Sequence, residues 1–274
     1  MSEYRSRGQT FYYSAYGQTG CPCVVLLHGF TNYSGLWAWQ AIALAYAGYR
    51  ALVPDLAGHG LSQFCDAPTT VDDLTMDVAN LLEKENETQA AVVGLSLGGM
   101  VALRFAVTFP DLTSSIVIAN SSAKTNNHQV LSQIDDWIEI LESDDGPVKR
   151  LARTWPMLCT AEFRSSPQAD NYYWTWQNLL SKVPGSSLAN IARGMKLFDM
   201  SQKLANIDCP SLIIAGEQDQ VISAKESIAL SDAIQGAELQ VLPKAGHLAT
   251  LDSPNLVTQH LLRFLACSRR LTQS

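Results

Sequence analysis

The sequence predicts an α/β fold: a mostly parallel central sheet flanked by helices, with a helical cap inserted after a strand at about 115–119. Three observations carry that expectation. Short unbroken apolar runs alternate with longer amphipathic ones, the pattern of parallel strands joined by crossover helices. The alternation stops near residue 121 and resumes near residue 206. With 274 residues, 47% hydrophobic and 16% charged, the chain has the length and composition for one sizeable core.

Residues 11–15 read as an early strand. Val24-Val25-Leu26-Leu27 is apolar without a break, as a strand buried on both faces requires. A helix is expected over 34–47 and the next strand over 50–53. Over 71–82 the helical period returns, with Thr70 placed as its cap and Asp72 and Asp73 in its first turn. Residues 90–94 form a third buried strand, 97–109 a helix stopped by Pro110, and 115–119 a fourth strand. From 121 to 205 only helical stretches are expected, around 130–141, 148–158, 169–180 and 188–198. Strand–helix alternation then returns at 211–215, 224–233, 238–242 and 256–265. The expected organisation is a core domain of residues 1–120 and 206–274, with 121–205 as a helical cap.

Lys and Arg number 19 against 26 Asp and Glu, a net charge of −7, and no basic run stands out. Nucleic acid is therefore not an expected partner. The first ten residues carry Arg5 and Arg7 but lead into no apolar stretch, and no run approaches a membrane span. No membrane partner is expected, and the cytoplasm is the expected compartment. Six cysteines are scattered, with Cys21 and Cys23 the only close pair, so free thiols are expected. No ligand cluster has metal spacing, and no metal or cofactor is expected.

The strongest chemical signal is Gly94-Leu95-Ser96-Leu97-Gly98, a G-x-S-x-G motif with a strand before it and a helix after it. A serine there sits on a sharp strand-to-helix turn, with its hydroxyl raised above the sheet. Side chains two residues to either side would collide, which explains both glycines. The helix that follows aims free N–H groups and its positive end at the same spot. The alternative reading is a tight turn that merely opens a helix; the strand–turn–helix setting favours the nucleophile.

Four motifs in order complete the pattern: His28-Gly29-Phe30, Asp55-Leu56-Ala57-Gly58-His59-Gly60-Leu61-Ser62, the Ser96 turn, and the pair Gly216-Glu217-Gln218-Asp219 and Gly246-His247-Leu248. Along nearly its full length the chain resembles the α/β-hydrolases. The resemblance implies Ser96 as nucleophile, Asp219 as acid and His247 as base, with the backbone N–H groups of Phe30 and Leu97 as the oxyanion hole. Glu217 is the rival acid. The place after the strand at 115–119, where some relatives carry the acid, reads Asn120-Ser121-Ser122. His28 is expected to be a buried support, His59 a loop residue, and His128 and His260 solvated on helical faces. The aromatic-rich cap is expected to roof the cavity through Trp137, Trp155, Trp174 and Trp176, with Leu248 beside the base.

The expected activity is hydrolysis of an ester or lactone bond in a small to medium organic substrate through an acyl-serine intermediate. The turn Gly94-Leu95-Ser96-Leu97-Gly98-Gly99-Met100 is similar to that of enol-lactone hydrolases. Ser96 argues against dehalogenase and epoxide-hydrolase relatives, which use aspartate there. Thioesterase or carbon–carbon-bond hydrolase chemistry on the same triad remains open, although Leu248-Ala249 replaces the tryptophan that commonly follows the histidine in the latter. A non-catalytic receptor for a small apolar ligand is the alternative from another class.

Overall fold

A computed structural model describes residues 1–272. Its strands are β1 (Ser2–Ser6), β2 (Gln9–Tyr16), β3 (Cys23–Leu27), β4 (Arg50–Pro54), β5 (Ala90–Leu95), β6 (Thr113–Ala119), β7 (Ser211–Gly216) and β8 (Glu238–Leu242). They form one sheet in the order β1-β2-β4-β3-β5-β6-β7-β8. The β1–β2 and β2–β4 pairs are antiparallel and the other five pairs are parallel. The expected mostly parallel sheet is thus present, and residues 11–15 belong to a longer strand, β2.

Strand β1 was not expected from the sequence. Only Tyr4 and Ser6 point inward along it. Arg7 and Gly8 make the two-residue turn to β2, both at positive φ (49° and 77°), which suits a type I′ hairpin.

Helices α1 (Ala38–Tyr46), α2 (Val71–Glu85), α3 (Leu97–Thr108), α9 (Ala224–Ala233), α10 (Ala249–Asp252) and α11 (Pro254–Thr272) belong to the two stretches of strand–helix alternation. The intervening segment holds α4 (His128–Leu141), α5 (Gly146–Leu158), α6 (Ala161–Arg164), α7 (Pro167–Leu180) and α8 (Gly185–Met195). Thr70 caps α2 as expected, in a reciprocal box with Asp73. The predicted helix over 34–47 begins instead as a 3-10 turn, Ser34–Trp37.

Strands β3 to β7 are buried on both faces. In β3, Val25 and Leu27 join the layer containing α2 and α3, while Val24 and Leu26 join the layer of α1 and α11. Period-2 alternation between two dry faces explains why the run is apolar at every position.

After β3 the chain crosses to β4 on one side; after β5 it crosses to β6 on the other. Connections that diverge from neighbouring strands leave a crevice outside their carboxyl ends, where open α/β sheets bind ligands. Ser96 and Phe30 lie at that crevice.

Candidate active site

Ser96 stands between β5 and α3 at φ 54° and ψ −114°, a conformation that costs a non-glycine residue about 1–3 kcal/mol. The surroundings hold it there. Its N–H donates to Ala119 O at 3.0 Å, and its carbonyl accepts Ser121 Oγ at 2.7 Å and Met100 N at 3.0 Å. A Cβ on Gly94 would meet Gly98 O at 2.0 Å, and one on Gly98 would meet Leu27 O at 2.2 Å. Both contacts are with backbone, so nothing can give way. Leu97 opens α3, and an N–H in the first turn of a helix has no partner within it.

The candidate base and acid arrive from neighbouring strands. His247 follows β8, Asp219 follows β7, and His247 Nδ1 lies 2.9 Å from Asp219 Oδ2 with side chains 5% and 1% exposed. The other carboxylate oxygen, Oδ1, accepts the N–H of Val221 at 2.7 Å and of Ile222 at 3.0 Å. This fixes Asp219 as an acceptor and leaves Oδ2 for the imidazole. The rival, Glu217, is exposed and, among the described residues, accepts only Lys244 N, at 3.4 Å.

The loop bearing His247 is itself held. Asn120, at the end of β6, donates through Nδ2 to Gly246 O (2.8 Å) and His247 O (3.0 Å), and accepts Gly216 N through Oδ1 (3.2 Å). Asp252 accepts Gly246 N (2.7 Å) on one oxygen and both Thr160 N (3.0 Å) and Thr160 Oγ1 (3.1 Å) on the other. Burial raises its pKa above the usual carboxylate range, and those hydrogen bonds oppose the rise. Asn120 occupies the place where some relatives carry their acid; here it serves as a bracket.

His28 is fully buried. Its Nε2 accepts Leu56 N–H at 3.0 Å, so the ring proton sits on Nδ1, which lies 2.9 Å from Gly29 O. His59 repeats the arrangement: Nε2 accepts Thr31 N–H at 3.0 Å and Nδ1 lies 2.8 Å from Ala57 O. Burial pushes their pKa values down to about 4 and about 3. His28 is the expected support; His59 is a loop residue, but a buried one with the same role. His128 is exposed as expected, whereas His260 is half-buried.

Thr31 makes three hydrogen bonds that tie down the loop after β3. It sits at φ 61°, unusual for a β-branched residue. The insertion reaches down to it from two helices: Trp176 Nε1 donates to Thr31 O at 2.6 Å, and Arg150 Nη1 to Thr31 Oγ1 at 2.9 Å. Tyr172 OH donates to Asn32 Oδ1 next door at 2.6 Å.

A cavity of about 260 Å³ lies over these groups, lined by Phe30, Ser96, His247, Leu248, Trp137 and Trp176 among others. Trp137 stacks on Phe30 with centroids 5.8 Å apart. Two expected lining residues are corrected. Trp155 packs against Tyr173 and Trp176 away from the lining, and Trp174 is 62% exposed. Helical period explains the first. The lining faces of α4 (Gln133, Asp136, Trp137, Ile140) and α5 (Arg150, Thr154, Met157) follow i, i+3, i+4, i+7, and Trp155 is off that stripe. Arg150 was not singled out from the sequence, because which face of its helix turns to the cavity depends on packing.

Among the described residues, no group of three His, Cys, Asp or Glu side chains is arranged to hold a metal. Nor is any helix long and apolar enough to cross a membrane.

A family model for the α/β hydrolase fold matches residues 22–254. The chain is 29% identical over 256 residues to 3-oxoadipate enol-lactonase 1 of Acinetobacter baylyi, covering 92% of each chain. It is 27% identical over 243 residues to a pimeloyl-acyl-carrier-protein methyl ester esterase of Nitrosomonas europaea, covering 85% of this chain and 91% of that one. A malate-bound thermophilic esterase from Thermogutta terrifontis superposes with a TM-score of 0.88 at 26% identity, over 97% of this chain and 98% of the other.

Proposed function

The chain belongs to the α/β-hydrolase family and is a hydrolase of ester-type bonds, and on that premise we propose that it cleaves a small ester or lactone through an acyl-Ser96 intermediate. One observation carries the mechanism: a strained Ser96 and an aspartate-paired His247 open on the same small cavity.

Asp219 accepts the Nδ1 proton, which leaves Nε2 of His247 free to take the proton of the Ser96 hydroxyl as its oxygen attacks the substrate carbonyl. Negative charge then develops on the carbonyl oxygen. The N–H groups of Phe30 and Leu97 serve as its donors, and Asp219 balances the positive imidazolium. Collapse breaks the acyl–oxygen bond, and His247 returns its proton to the departing oxygen. In a lactone that oxygen remains tethered to the acyl group. Water, deprotonated by His247, attacks the acyl-enzyme and releases the acid and free Ser96. The helices between β6 and β7 act as the lid, and Trp137, Trp176 and Leu248 shape its underside.

Fluorophosphonate labelling with peptide mapping, together with turnover of 4-nitrophenyl esters and simple lactones, tests this reading. Modification at Ser96 is expected. Ser96→Ala should keep its melting profile and lose on the order of 10⁴-fold in kcat. Labelling at another residue, or an active Ser96→Ala enzyme, would refute it.

A further inference from the structure

The cavity holds a cation that neither the fold nor the triad explains. Arg150 lines it from α5, is 6% exposed, and forms no ion pair with any carboxylate among the described residues. Its guanidinium lies between two aromatic faces, 4.5 Å from the centroid of Trp137 and 4.8 Å from that of Phe30. One nitrogen donates to Thr31 Oγ1; Nε is buried without a partner among the described residues.

Burial lowers the pKa of Arg150 to about 9, which still leaves it charged at neutral pH. A buried charge is normally paired, since desolvation costs several kcal/mol per ion even after relaxation. Two π faces and one hydroxyl compensate only part of that cost, because a guanidinium has five N–H donors in a fixed fork. The two other charged residues lining the cavity, Asp136 and Arg153, are exposed.

A hydrophobic-walled cavity with a fixed, underused guanidinium is built for a planar anion with two acceptor oxygens. We infer that the acyl part of the substrate carries a carboxylate, bound by Arg150 while Ser96 attacks the ester or lactone carbonyl a few bonds away. Trp137 and Phe30 hold the guanidinium flat, and Thr31 ties it to the loop that bears Phe30. Occupation of Arg150 would thus register the substrate against the nucleophile. The inference rests on the hydrolase reading and names the substrate class for that same site.

Two substrates of matched length test it: the 4-nitrophenyl monoester of glutarate, and 4-nitrophenyl hexanoate, in which an ethyl group replaces the carboxylate. The wild type should favour the charged ester in kcat/KM. Arg150→Gln should lose at least about 30-fold on it, the cost of removing one partner of a buried charge pair. The neutral ester should lose at least about tenfold less than the charged one. Arg150→Lys, which keeps the charge but not the fork, should fall between. Equal losses on both esters would reduce Arg150 to a strut for Thr31 and overturn the inference. Glutarate binding by calorimetry supplies a readout independent of catalysis. Wild-type protein should bind it and Arg150→Lys more weakly, and failure of the wild type to bind also overturns the inference. If neither ester turned over but glutarate bound in an Arg150-dependent way, the anion site would stand and the hydrolase reading would fall.

Discussion

Asp219 and Glu217 are two carboxylates two residues apart on one loop, and their surroundings assign them different work. Asp219 is buried, accepts His247 Nδ1 on Oδ2, and is locked by two backbone N–H groups on Oδ1. Glu217 faces solvent with one long contact. Asp219→Asn preserves shape but presents an amide to the imidazole, favouring the wrong tautomer. A fall in kcat of about 10²–10⁴ is expected, with the melting temperature little changed. Glu217→Gln should cost less than about tenfold. Steady-state kinetics on one ester ranks the two; the reverse order would move the acid to Glu217. Ser96, Asp219 and His247 could be singled out in the sequence because each lies in a loop that follows a strand run, and the resemblance to the α/β-hydrolases picks out one residue in each loop. Arg150, by contrast, belongs to a helix whose docked face depends on packing.

At the level of elements, the site is a set of loops at adjacent strand ends, held in register by a few side chains. Asn120 is the bracket between the ends of β6, β7 and β8, with three hydrogen bonds to the backbone of the other two loops. Asn120→Ala strands buried backbone groups of Gly216, Gly246 and His247, at about 1–3 kcal/mol for each group left unsatisfied. Urea unfolding should show that loss. The loosened His247 loop should also lower kcat more than it changes KM. A destabilised variant with unchanged kcat would confine Asn120 to stability. Such brackets are hard to read from sequence because their partners are backbone atoms, which carry no residue identity. Strand β1 escaped for a related reason. Its inward residues are Tyr4 and Ser6, and it is anchored by Ser6 Oγ and Arg7 reaching the buried Asp77 in α2. A polar strand held by a distant carboxylate has no apolar period to betray it. The helices between β6 and β7 show the same limit. They were legible from their period, but Trp155 and Trp174 were placed on the cavity side when only docking decides which face turns inward.

For the molecule as a whole, the two buried histidines beneath the site set how stability responds to acid. In His28 and His59, Nε2 accepts a backbone N–H, so protonation would set N–H against N–H inside the core. Burial accordingly depresses their pKa values to about 4 and about 3; for His59, the neighbouring His28 and Arg150 add to the depression while the Ala57 hydrogen bond and Asp55 oppose it. Unfolded, both would titrate near 6.5. Above that value neither state binds the protons, and these groups add no pH dependence. As pH falls below it, the unfolded chain takes up two protons that the folded protein refuses, so stability declines. The slope approaches about 1.4 kcal/mol per pH unit for each histidine and levels off only below the folded values. By pH 4.5 the combined loss is about 5 kcal/mol, comparable to the whole stability of a marginal protein of about 5–15 kcal/mol. Urea midpoints at pH 7.5, 6.0 and 5.0 should therefore fall steadily. His59→Asn should begin lower at pH 7.5, because Thr31 N–H loses its acceptor, yet decline with roughly half the slope once one of the two titrating groups is gone. A wild-type midpoint that stays level between pH 7.5 and 5.0 would mean that these imidazoles are charged or solvated in the native protein. The loop carrying Phe30 and Thr31 would then have to be held by something other than the neutral pair His28 and His59.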